Sequence, residues 1–428
     1  MFENAVSHHR QGRLDEAERL YRLVLREVGD HSGSLHGLGI VCAQSSRDQE
    51  ALEMFRKALL IAPADAGLHG DMGNVLFRLG RFHEAQAEFM KTIALEPNSA
   101  AAYANLGNAQ KALGLVDKAL ASLARASALN PQLAEPYIIS GDIHLGANRA
   151  AQAIGWFEKA LTVRPNNTLA LEGLGSALNA IERHAEALVI FDRLLAGGVR
   201  SLSAHIGRCV SLRQLGRIDE AVAAAAAATS LSPHRPEPHV ASGELQLMLS
   251  RFQEASEYFQ RALAMSPNLP SALIGMGNSL SALGRPEVAL DTFRRLLDLE
   301  PDNSTAYLGM GNSLEQLGRL SEAREAFERA VAVAPSVPTL HYALARTGPF
   351  CENDPRLSAL ERLAADTAIR YPSSEEACLH FALAKAYDDL KRYEIAFAHL
   401  KKANDVTRAS LKYDADRDEL LPVRLTPT

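Results

Sequence analysis

The sequence predicts an all-α solenoid of antiparallel helix pairs, and three regularities carry that prediction. Prolines recur 34 residues apart, at Pro63, Pro97, Pro131 and Pro165, give way once to Val199, and resume at Pro233, Pro267, Pro301 and Pro335. Counting each unit so that its proline falls at the thirty-second place, the twentieth place is alanine in every unit: Ala51, Ala85, Ala119, Ala153, Ala187, Ala221, Ala255, Ala289 and Ala323. The eighth place is glycine in all but one, reading Gly39, Gly73, Gly107, Gly141, Gly175, Cys209, Gly243, Gly277 and Gly311. A fixed period of this length is the mark of a repeat array, in which each unit is one supersecondary motif stacked on the next.

Each place has a physical task. Helix axes approach closest where side chains are smallest, so the eighth and twentieth places are where the two helices of a unit touch. The twenty-fourth place supplies the bulk that fills the remaining space: Phe55, Phe89, Leu123, Phe157, Phe191, Ala225, Phe259, Phe293 and Phe327. Gly80, Gly114, Gly216, Gly284 and Gly318 stand at the turn between the helices, where a left-handed residue ends the first one. The proline ends the second helix and restricts the residue before it. Around Gly197, Gly198 and Val199 the pattern weakens, because Arg208 replaces the usual Leu or Met and Ala225 the usual aromatic residue. A weak seam is expected there.

The regularities divide the chain into a partial unit over 1–31, with Gly12, Ala17 and Tyr21 in phase, and nine full units over 32–337. A divergent helical linker follows over 338–376. It starts in phase with His341, Leu344 and Ala345, breaks at a loop from Thr347 to Pro355, and continues as an amphipathic helix from Arg356 to about Arg370. Ala384, Tyr387, Leu390, Tyr393, Ala396 and Ala403 place a further unit over 377–410, and 411–428 is read as a polar tail.

This spacing of small residue, alanine, aromatic residue and proline resembles the tetratricopeptide repeat family, and the match runs from Ser32 to Val337 without an insertion. The resemblance implies a right-handed superhelix whose first helices line a concave groove. It also implies that the second, fifth, ninth, twelfth and thirteenth places face a ligand. The ninth place includes Asn74, Asn108, Asn278 and Asn312. Asparagine offers two donors and an acceptor, which suits the backbone of an extended peptide. Phe77, Ile138, Ile206, Val240, Ile274 and Leu308 would add apolar contacts. Lysines that would clamp a terminal carboxylate, as in the chaperone-binding members, are missing: the fifth place offers Gly70, Ala104, Ile274 and Leu308.

Composition narrows the function further. Hydrophobic residues make up 47% of the chain, enough for a continuous core. A net charge of -6 without a Lys/Arg cluster argues against nucleic acid as the main partner. The longest low-polarity stretch, Ala221 to Ala228, is far shorter than the roughly 20 residues that cross a bilayer, so no membrane span is expected. Met1 to Arg10 has no apolar core of a secretory signal, which points to a cytoplasmic protein. Cys42, Cys209, Cys351 and Cys378 form no metal or redox pair, and Cys42 and Cys209 fall on core places. His8 and His9 are adjacent and point to different faces, and the glycine pairs Gly37 with Gly39 and Gly309 with Gly311 lie within first helices, where no phosphate cradle forms. The carboxylates of the run Tyr387, Asp388, Asp389 are read as solvated. No catalytic set and no cofactor are expected.

Two functions remain: a non-catalytic scaffold that binds protein or peptide segments in its groove, or the recognition arm of a transferase system. Leu379 to Asp414 resembles the segment that joins such repeats to a sulfotransferase domain in certain bacterial proteins, and arrays of this kind also precede O-linked N-acetylglucosamine transferase domains. The remaining Ala415 to Thr428 is too short for the strand, phosphate-binding loop and helix a sulfotransferase requires. The solenoid reading itself is testable by small-angle scattering. The radius of gyration should exceed the roughly 22 Å of a compact domain of this length, and a compact profile would refute the array.

Overall fold

The computed structural model describes residues 1–366 and 369–410, and all 24 elements among them are α-helices. The chain divides into two compact units, one over Met1–Ala221 and one from Val222 onward. In the first unit the helices pair as α1 (Phe2–Arg10) with α2 (Leu14–Val28), α3 (Ser32–Gln44) with α4 (Asp48–Ile61), and α5 (Ala66–Arg78) with α6 (Phe82–Leu95). They continue as α7 (Ala100–Ala112) with α8 (Val116–Leu129), α9 (Glu135–Gly146) with α10 (Ala150–Val163), and α11 (Thr168–Ala180) with α12 (His184–Ala196), followed by α13 (Leu202–Gln214). Helix α14 (Ile218–Leu231) begins in the first unit and ends in the second.

The second unit contains α15 (Pro236–Met248) with α16 (Phe252–Met265), α17 (Pro270–Ala282) with α18 (Pro286–Leu299), and α19 (Ser304–Gln316) with α20 (Leu320–Val333). Then come α21 (Pro338–Ala345), α22 (Pro355–Ala365), α23 (Ser373–Asp389) and α24 (Tyr393–Ser410). Within each unit a first helix packs against its own partner and against the first helix of the next pair, as α9 does on α10 and α11, and α17 on α18 and α19. Second helices close the stack from behind, α10 against α11 and α18 against α19.

The periodic residues hold the stack together. Every alanine of the twentieth place, from Ala51 to Ala323, is 0% exposed. The aromatic residue of one second helix lies over the glycine of its own first helix and, in several pairs, over a glycine of the next. A Cβ on Gly175 would lie 2.6 Å from Phe191 Cζ, one on Gly277 2.5 Å from Phe293 Cζ, and one on Gly309 would overlap the same Phe293 ring. The ring thus takes the volume that two missing side chains leave free, and the helices close to near contact. Tyr21 on α2 of the opening pair, which carries both of its helices, lies likewise over Gly37 of α3 in the next pair.

Backbone polarity is satisfied at the same period. Asp65, Ser99, Asn167, Ser201 and Asn303 cap first helices by accepting from the amide three residues on, as Asn303 does from Ala306 at 2.9 Å. Where the preceding residue is Arg235, Leu269 or Val337, a proline opens the helix instead, and its missing N–H removes one unsatisfied donor. The turn place has positive φ throughout: 72° at Gly80 and 70° at Gly284, and also 59° at Ser46 and 62° at Glu182, where the residue is not glycine. Arginines at the start of second helices bind the glutamate three residues on with both arms, as Arg183 does with Glu186 at 2.7 and 2.6 Å.

Three expectations are refined. Arg208, where Leu or Met usually packs, is half-buried and its Nε donates to Asp192 Oδ1 at 2.6 Å. The linker helix, expected through Arg370, ends at Ala365, and the loop before it anchors its start through Phe350 and Asp354. There Phe350 is buried, its amide donates to Asp389 Oδ2 at 3.0 Å, and the Arg356 guanidinium sits 4.2 Å from the Phe350 ring centroid while donating to Asp354 at 2.6 Å. Helix α23 starts at Ser373, ahead of the expected 377. Residues 411–428 lie outside the described residues.

Two substitutions separate close packing from mere helix propensity. Gly277→Ala should destabilise the second unit by about 1 to 3 kcal/mol through overpacking against Phe293. Gly155→Ala, in α10 with nothing within 4 Å of its added Cβ, should stabilise by roughly 0.5 to 1 kcal/mol. Urea unfolding of both variants checks the pair, and equal effects would refute the glycine–aromatic contact as the organising one.

Candidate functional site

The first helices present their ninth-place residues outward. In the first unit Asn74 is exposed and its Oδ1 accepts from Asn105 Nδ2 at 2.9 Å, so part of its capacity is spent on the neighbouring helix. Asn108 is half-buried and has no hydrogen-bond partner among the described residues. One turn on, Lys111 pairs with Asp142 at 2.8 Å, and His36 bonds Asp71 at 2.8 Å. The first-helix face of this unit is therefore polar and partly cross-linked.

In the second unit Asn278 and Asn312 line one depression of about 720 Å³ together with Ser281, Glu315, Gln316 and Arg346. Neither amide has a partner among the described residues, while Arg346 Nη2 bonds Glu315 Oε2 at 2.7 Å across it. Two free amides on successive helices, α17 and α19, can each donate to and accept from a bound main chain.

The apolar candidates divide. Ile138 is 5% exposed and Val240 8% exposed, both within core clusters, so most of each side chain packs inside the array. Ile206, Ile274 and Leu308 are half-buried, and Ile274 and Leu308 lean on the clusters around Leu273 and Phe327. Phe77 is half-buried and packs on Phe82 in a tilted arrangement, at 5.2 Å between ring centroids.

Periodicity did not reveal one polar device. His69, His239 and His341 share the fourth place and direct Nε2 to the carbonyls of Pro63, Pro233 and Pro335 at 3.0, 3.1 and 2.8 Å. Tyr137 reaches the Pro131 carbonyl from the same place, and Arg193 reaches that of Pro165. The four aromatic side chains tie their loops to the helix that follows and Arg193 ties the Pro165 loop to α12, so they are structural. The signal was an aromatic or imidazole residue six places after a proline.

The run at 387–389 is also structural in two of its three members. Tyr387 is buried and donates to Glu361 Oε1 at 2.6 Å; Asp389, expected in solvent, accepts from Lys385 and from the Phe350 amide, because the inward loop covers it. Asp388 alone is exposed. Cys42 and Cys209 are buried, and burial pushes the Cys42 thiol up to about 11. Among the described residues no group of three His, Cys, Asp or Glu side chains could hold a metal, and no helix is long and apolar enough to cross a membrane.

Comparison with protein-family models places this architecture. Models described as tetratricopeptide repeat match 1–64, 100–133, 140–198, 210–270, 274–346 and 379–409, and a TPR repeat model matches 73–114. The chain is a tetratricopeptide repeat protein. No curated protein sequence matches it. Among solved structures it is similar to MamA, at 24% identity over 38% of this chain and 94% of that one, with a TM-score of 0.35. It is also similar to a tetratricopeptide repeat protein from Parabacteroides merdae, at 19% identity over 58% and 98% of the two chains and a TM-score of 0.48. The Cut9–Hcn1 hetero-tetramer of the APC/C gives 14% identity over 89% of each chain and a TM-score of 0.49.

The last repeat carries a contact between two histidines. His380 and His399 face each other Nδ1 to Nδ1 at 3.0 Å, with Tyr387 stacked on His399 and Lys402 and Glu376 nearby. Burial, with Lys402 and His399 beside it, lowers the His380 imidazole to about 4, and burial lowers His399 too. A histidine depressed below its unfolded value of about 6.5 contributes stability that is present above that pH and lost as pH falls toward 4. Hydrogen exchange of α23 and α24 should accelerate between pH 6.5 and 4, relative to α17–α20, and His380→Leu should flatten that dependence.

Proposed function

We propose that this tetratricopeptide repeat protein is a non-catalytic interaction scaffold that holds extended protein or peptide segments on its first-helix faces. The observation that carries the reading is the set of amides on Asn108, Asn278 and Asn312, which reach the surface of first helices without a partner among the described residues. A surface amide without a protein partner can exchange its water for the main chain of a ligand, and each such bond contributes a net of about 0.5 to 1.5 kcal/mol. Half-buried Ile274 and Leu308 beside Asn278 and Asn312 supply apolar contact for side chains of the same segment.

Replacing Asn74, Asn108, Asn278 and Asn312 with Ala tests this. The fold should survive, since changes at surface positions stay within about 0.5 kcal/mol each. Affinity for a protein captured on the purified chain and then measured directly should fall at least tenfold, roughly 1.4 kcal/mol. Unchanged affinity would remove the first-helix face from consideration.

A further inference from the structure

We propose that the C-terminal repeat carries a separate socket for a bulky apolar side chain adjoined by a lysine or arginine, presented by a segment of a protein partner. The inference rests on the scaffold reading above and adds a second, chemically distinct contact to it.

The socket is a cavity of about 580 Å³ formed by α21, α23 and α24. Its floor is made of the buried alanines Ala345, Ala384 and Ala396, and small floor residues give it depth. Tyr342 and Phe381 form one wall, their ring centroids 6.2 Å apart. Tyr393, Phe397 and Leu400 form the other, at positions that recur along one stripe of α24, and they are 62%, 68% and 41% exposed. Single exposed apolar residues are ordinary, but a stripe of three bordering a concave cavity leaves apolar surface that a ligand side chain would remove from water. The volume lies within the range of sites that enclose a small ligand or a few side chains.

Charge at the rim selects the neighbour of that side chain. Arg346 is neutralised by Glu315 at 2.7 Å and lies over the Tyr342 ring, and Lys385 is held by both oxygens of Asp389 at 2.7 Å. Asp388 lines the same cavity, is exposed, and has no partner among the described residues. The uncompensated charge at the mouth is therefore a carboxylate, whose complement is a basic residue next to the apolar anchor. Arg346 also borders the depression that holds Asn278 and Asn312, so a segment seated in the socket can continue along that face.

The test uses the full chain and an array of octapeptides in which a central apolar position is Phe, Leu or Ala and the next is Lys, Ser or Glu, followed by fluorescence polarisation of the strongest binder. Phe–Lys peptides should bind best, with Phe to Ala and Lys to Glu each costing at least tenfold. Asp388→Lys should invert the preference to Phe–Glu, and Phe397→Asp should abolish binding; both positions are exposed, and circular dichroism verifies that each variant folds. Should Phe397→Asp misfold, the inversion by Asp388→Lys decides alone. A preference that Asp388→Lys leaves unchanged overturns the socket. If replacing the four asparagines abolishes peptide binding while both socket variants bind normally, the groove reading stands and this one fails. If no peptide binds and the chain sediments as a dimer that Phe397→Asp makes monomeric, a second copy covers the face and the proposal is likewise refuted.

Discussion

The packing of an aromatic ring into the space left by glycine is the contact on which each unit of this protein depends. Phe191 over Gly175 and Gly207, Phe259 over Gly243 and Gly275, and Phe293 over Gly277 and Gly309 each join two helix pairs through one side chain. Because the ring belongs to one pair and a glycine under it to the next, the same contact closes a repeat and couples it to its neighbour. The buried alanine four residues before each ring lets the second helix approach as closely as the ring requires. Neither residue works alone: alanine without the ring leaves a void, and the ring without glycine forces the helices apart.

The loops between pairs lie at the surface, and several are fastened by side chains. The carbonyls of Pro63, Pro131, Pro165, Pro233 and Pro335 accept from His69, Tyr137, Arg193, His239 and His341. Helix starts are satisfied by Asx and Ser caps, or relieved by proline where the cap side chain is missing. The paired arginine and glutamate at the start of second helices are exposed and add little to stability. With the core and the loops settled by a few fixed places, the outward places of the first helices are free to vary, and that is where Asn108, Asn278 and Asn312 stand.

The last repeat departs from this scheme for a local reason. The inward turn at Phe350 and the Arg356–Asp354 pair shift α22 out of the periodic arrangement, and α23 then packs directly on α21. The exposed stripe on α24 borders the cavity between α21, α23 and α24. The part-buried His380–His399 contact belongs to the same repeat, and burial lowers both imidazoles there.

The helices, their pairing and their turns were legible in the sequence because each rests on residue size at a fixed spacing, and size is a property of the residue itself. Glycine under phenylalanine and alanine at the closest approach needed no partner to be known in advance. The site was legible only in part. That the ninth place faces outward followed from the repeat, but which amides are free did not: Asn74 is engaged by Asn105 and Asn278 by no described residue, though the two residues occupy the same place. Ile138 and Val240 share a place with Ile206 and Ile274, yet the former are buried and the latter half-buried, because local packing differs from pair to pair. Tertiary structure alone decided that Asp389 is covered while Asp388 is not, since the covering group, the Phe350 amide, lies 39 residues away in a loop with no period to read.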